Sequence, residues 1–87
     1  MYKILPLKPK VNKRIMSLPP AYKEKLEDVF DDIEANPYYH PTKKITQFKG
    51  NRKHEGWHYD LSYSLRIHYT INESDKTITI KYIGPHT

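Results

Sequence analysis

The side chains best suited to chemistry lie in the last third of the sequence: His58, Asp60, Arg66, His68 and His86. Histidine exchanges protons near neutral pH and can serve as acid or base. Arginine supplies a fixed cation. These types together suit cleavage of a phosphodiester. A base takes a proton from the 2′-hydroxyl, an acid gives one to the leaving oxygen, and cations stabilise the charge of the phosphorane. A metal site built from His58, His68 and Asp60 has no recognised ligand spacing behind it, so neither metal nor cofactor is expected. Cysteine is absent. That excludes disulfide scaffolds, thiolate zinc sites and cysteine nucleophiles.

A second group of residues suits a polyanion. Lys43, Lys44, Lys49, Arg52 and Lys53 form a run without an acid, and His54 follows them. The chain carries 15 Lys and Arg against 10 Asp and Glu, a net charge of +5, and its pI is about 9.4. The charge is uneven. Lys3, Lys8, Lys10, Lys13, Arg14 and Lys23 precede the first acid; Glu24, Glu27, Asp28, Asp31, Asp32 and Glu34 then crowd one segment. Segregation of this kind points to a nucleic acid on the basic side. A solvated, salt-bridged surface is the plain alternative.

These residues need a scaffold, and 87 residues are enough for one domain, spanning 1–87. Tyr2 to Leu7 predicts a short strand, confined by Pro6 to an edge or end. Lys8 to Ser17 predicts a short helix, with Pro9 in its first turn and Val11 and Ile15 one turn apart. Pro20 to Ala35 predicts the longest helix. Tyr22, Leu26, Val29, Phe30 and Ile33 form its apolar stripe, and Asn36-Pro37 ends it. Lys44 to Lys49 predicts a strand, and Gly50 to Gly56 a basic loop. Trp57 to Tyr63, Leu65 to Ile71 and Thr77 to Ile83 alternate as strands, with a hairpin turn over Asn72–Lys76. The order is β-α-α-β-β-β-β. The fold class is α+β, with two N-terminal helices on one face of a twisted, mainly antiparallel sheet of four to five strands. No apolar run is long enough to cross a bilayer, and the first residues lack the apolar core of a signal peptide, so the cytoplasm is expected.

Alternation assigns faces. Trp57, Tyr59, Leu61 and Tyr63 share one face of their strand; Ile67, Tyr69 and Ile71 share one on the next, and Ile78, Ile80 and Tyr82 one on the last. If these face the helices, His58, Asp60, Arg66 and His68 turn to the open face, with His86 just beyond the final strand. The plain readings are solvent-facing strand histidines and an Arg66–Asp60 pair across the hairpin, worth ~0.2–1 kcal/mol.

The sequence resembles the RelE/ParE superfamily of bacterial toxins. The resemblance rests on Leu18-Pro19, Asn36-Pro37, Phe48-Lys49-Gly50, Gly56-Trp57, the segment from Tyr63 to Ile71 around Arg66, and the ending Gly84-Pro85-His86. It implies two helices against a twisted antiparallel sheet, and a cognate antitoxin as partner, with a heterotetramer as one expected assembly. RelE-like members enter the ribosome, contact its RNA and cut mRNA without a metal. By this resemblance His86 matches the catalytic Arg or His of the family's ending, and Arg66 its strand arginine. Lys43, Lys44, Lys49, Arg52, Lys53 and His54 correspond to its RNA contacts. The family's preceding basic residue is replaced by Asp60 and Leu61, with His58 the nearest substitute. The expected function is therefore a ribosome-dependent mRNA endoribonuclease toxin. The alternative is a member acting by binding, as a ParE-like DNA gyrase inhibitor or a degenerate toxin kept for its antitoxin complex.

Overall fold

Proline placement and apolar spacing set both helices. In the computed structural model, which describes residues 1–85, α1 runs Pro9–Met16 and α2 runs Pro20–Ala35, each with a proline in its first turn. Proline suits that position because its missing N–H would be unpaired there in any case. Leu18 is buried between the helices' ends. Asn36 leaves α2 in an extended conformation, as the residue before a proline should.

Five strands follow the predicted order: β1 (Lys3–Ile4), β2 (Ile45–Gln47), β3 (Trp57–Asp60), β4 (Leu65–Asn72) and β5 (Thr77–Pro85). They form one sheet in the order β1-β5-β4-β3-β2. β1 runs parallel to β5 at one edge, and all other pairs are antiparallel. β1 and β2 are shorter than the expected Tyr2–Leu7 and Lys44–Lys49. Backbone pairing continues past each as single bonds, from Leu5 N–H to Ile78 O and from Asp60 N–H to Lys44 O. The expected basic loop is a 3₁₀ helix over Gly50–Glu55.

The core lies between the helices and one sheet face. Val11, Leu26, Val29 and Ile33 meet Ile45, Tyr59, Ile67, Tyr69, Ile78, Ile80 and Ile83. Full burial of an aliphatic side chain contributes roughly 1.5–3 kcal/mol. Tyr69 adds a tether: its buried hydroxyl donates to Pro37 O at 2.6 Å and fixes the chain leaving α2. At the sheet edge, Ile4 N–H donates to Glu34 Oε2 at 2.8 Å and binds β1 to α2.

Two face assignments differ from strict alternation. β3 stops at Asp60; Leu61 still packs against the core, but Tyr63 falls in the turn beyond and is fully exposed. β5 carries a bulge: His68 pairs with Tyr82 while Tyr69 pairs with Ile80, leaving Lys81 as an extra residue. One extra residue reverses the faces beyond it. Ile83 therefore enters the core, and Tyr82 moves to the opposite side.

The β4–β5 turn is anchored by Glu73. Its carboxylate accepts from Lys76 Nζ and from the Tyr38 and Tyr2 hydroxyls. These bonds hold it at about 2, below the ordinary value of 4.5, with the Lys76 bond first among the causes. A depressed carboxylate contributes stability above its unfolded value and loses it as pH falls toward the folded one. The Tm of the wild type should exceed that of Glu73→Gln above about pH 4.5, and the gap should close as pH falls toward 2. A gap constant across that range would show that the carboxylate does not anchor the turn.

Candidate active site

The second sheet face carries the residues with chemistry. On β3, His58 and Asp60 point the same way; on β4, Arg66 and His68 oppose them, with His58 registered to His68 and Asp60 to Arg66. Asp60 Oδ1 lies 2.8 Å from His58 Nδ1 and 3.1 Å from Arg66 Nε. A carboxylate can only accept, so His58 donates from Nδ1 and its neutral form keeps the basic lone pair on Nε2. The expected Arg66–Asp60 pair is thus present, and it is joined to a histidine.

The histidines are not solvent-facing strand residues. Both are buried, His58 to 6% and His68 to 8% exposure. Phe48, just past β2, covers them, with its ring centroid 4.9 Å from each imidazole. The Tyr82 ring also packs against His68, tilted by 56° at a centroid distance of 4.9 Å. Arg52 of the 3₁₀ helix lies over Phe48 at 4.6 Å and donates to Glu55 from Nε at 2.6 Å. Burial first, then the neighbouring His58, Arg52 and Arg66, pull the His68 pKa down. His68 is therefore neutral at pH 7, and its buried Nε2 has no hydrogen-bond partner among the described residues.

Beyond His68 this face opens into a cleft of about 400 Å³. Arg52, His54, Glu55, His68, Thr70, Lys81 and Tyr82 line it. Two fixed cations, Arg52 and Lys81, against the one carboxylate of Glu55 leave it net positive and suited to an anion. Of the residues expected to contact RNA, Arg52 and His54 line this cleft. Lys43, Lys44, Lys49 and Lys53 are exposed and do not. Of the expected catalytic residues, His58, Asp60 and Arg66 come together; His86 lies outside the described residues.

Sequence reasoning missed the walls of the site. Phe48 was visible only as part of Phe48-Lys49-Gly50, and Tyr82 was assigned to the core. Gly84 was the available signal, because the Tyr82 ring folds back over it: a Cβ at Gly84 would sit 2.6 Å from the Tyr82 hydroxyl. Gly56 ends the 3₁₀ helix with φ +92°, and a Cβ there would sit 2.4 Å from Tyr69 O. Gly56→Ala should lower stability by at least ~1–3 kcal/mol, the cost of a strained backbone conformation. Chemical denaturation measures it; an unchanged midpoint would mean that the segment does not press on β4.

No protein-family model matches the sequence, and no curated protein matches it. Solved structures do. A chain of the archaeal RelE–RelB complex from Pyrococcus horikoshii OT3 superposes with a TM-score of 0.76 at 24% identity, covering 97% of this chain and 93% of that one. The YoeB/ParE toxin from Agrobacterium tumefaciens gives 0.77 at 14% identity, over 98% and 99%. The chain has the RelE/ParE fold. A chain of the YoeB–YefM complex from Staphylococcus aureus agrees, with a TM-score of 0.73 at 16% identity over 100% and 99%. Within the RelE/ParE fold, the His58–Asp60–Arg66 group occupies the sheet face away from the helices, beside the basic 3₁₀ helix.

Proposed function

We propose that this chain is the toxin of a type II toxin–antitoxin pair and acts as a ribosome-dependent mRNA endoribonuclease, with residues 1–87 as one domain. The observation that carries the reading is the His58–Asp60–Arg66 group next to a cationic cleft. Asp60 holds the His58 ring and its tautomer. His58 Nε2 takes the proton of a 2′-hydroxyl, and the freed oxygen attacks phosphorus. The bond from phosphorus to the 5′-oxygen breaks, and that oxygen receives a proton, from His86 by the family resemblance. The products are a 2′,3′-cyclic phosphate and a 5′-hydroxyl. Arg66 stabilises the phosphorane oxygens. Arg52 and His54 hold the adjoining backbone, while Lys43, Lys44, Lys49 and Lys53 steer the ribosomal RNA and mRNA by long-range attraction.

The RelE–RelB complex and the heterotetrameric YoeB–YefM complex support an antitoxin as partner, in an assembly that extends to a heterotetramer; the ribosome as target places the action in the cytoplasm. One observation favours the binding-only alternative. Asp60 puts a negative charge where a phosphate would sit and engages Arg66. That suits a gyrase inhibitor or a degenerate toxin.

Induced expression in a bacterial host, with primer extension on a translated mRNA, tests the choice. The expected result is growth arrest with cuts inside translated codons. Arrest without cuts, together with blocked supercoiling by gyrase, would transfer the assignment to ParE-like inhibition. No arrest would favour the degenerate toxin.

A further inference from the structure

A second depression lies at the other end of the site, beyond Arg66. It measures about 430 Å³ and is lined by Asp60, Ser62, Tyr63, Ser64 and Arg66. Tyr63 is fully exposed on the turn between β3 and β4, yet the turn itself is well tied. Leu61 N–H donates to Leu65 O at 2.9 Å, and Ser64 and Leu65 N–H both donate to Ser62 Oγ at 3.2 Å. An ordered turn thus presents an aromatic ring to solvent between two small serines. The rings facing the opposite cleft, His68 and Tyr82, are already packed against each other at a tilt of 56°. That cleft offers cations, whereas this depression offers an aromatic face.

We infer that the depression is a nucleobase subsite, with Tyr63 as the stacking platform for the base next to the phosphate at Arg66. The inference rests on the RNA reading above. Asp60 and Arg66 line the depression and belong to the His58 group, so a phosphate at Arg66 sets its neighbouring base within reach of Tyr63. Asp60 Oδ1 takes the His58 bond and the Arg66 ion pair, which leaves Oδ2 to accept from an exocyclic amino group on the base edge. Stacking on an aromatic ring tolerates any base, because every base has a π-face.

The test compares a short single-stranded RNA with an abasic strand of equal phosphate count, by fluorescence anisotropy at low salt. The wild type should prefer the base-bearing strand by roughly 5- to 150-fold, the range set by one stacked base. Tyr63→Ala should lose most of that preference at an unchanged Tm, and Tyr63→Trp should keep it. Arg52→Ala should weaken both strands alike, since it acts on phosphate. A Tyr63→Ala protein that keeps the full preference, while Arg52→Ala still weakens both strands, overturns the platform and leaves the RNA reading standing. A wild type with no affinity for either strand overturns the platform, and the RNA reading is then decided by the cuts in translated mRNA. A Tyr63→Ala effect confined to self-association would assign the ring to a protein contact and overturn the subsite.

Discussion

His58→Gln should lower mRNA cleavage by about 10²–10⁴-fold, the usual contribution of a positioned acid or base. Glutamine keeps a polar amide able to donate to Asp60, but it cannot take a proton from a 2′-hydroxyl. The loss should fall on the rate constant of cleavage, with RNA affinity little changed, because the cationic cleft is untouched. Asp60→Asn separates orientation from charge. It permits the wrong His58 tautomer and so slows cleavage, while removing a negative charge should tighten RNA binding. Cleavage by His58→Gln at the wild-type rate would remove His58 from the mechanism. An Asp60→Asn protein that binds RNA more tightly and cleaves as fast would make Asp60 an electrostatic brake and not a positioning residue.

Ile67→Ala should cost ~2–5 kcal/mol, the range for truncating a buried aliphatic side chain. Ile67 is wholly buried at the centre of the sheet, registered to Tyr59 on β3 and to Ile83 on β5. Neighbours fixed by strand pairing on both sides collapse poorly into a void. For a chain of this size each kcal/mol moves Tm by roughly 4–8 °C, so a fall of about 8–40 °C is expected. Tyr63→Ala, by contrast, should change stability by no more than ~0.5 kcal/mol, as exposed positions do. A large fall for Tyr63→Ala would restore the face assignment that alternation gives it.

The helices were legible because their signals are local. Pro20, the stripe from Tyr22 to Ile33 and Asn36-Pro37 state a start, a buried face and a stop within one segment, and α2 has those bounds. The strands were legible in order but not in extent. Where β3 ends depends on the turn that Ser62 ties, and nothing in the alternation of residues 57–63 marks it.

The candidate site divides in the same way. Period two alone set His58, Asp60, Arg66 and His68 on one face, because alternation is a property of the extended chain. That Asp60 joins His58 to Arg66 depends on register, and register is decided by pairing across the sheet. Phe48 comes to cover both histidines through the turn after β2, and Tyr82 through the bulge at Lys81. Composition and spacing therefore determined the α+β class, the helices, the basic character and the chemistry-bearing residues. Tertiary structure decided which of them touch and which are buried, because pairing and packing compare residues far apart in the chain.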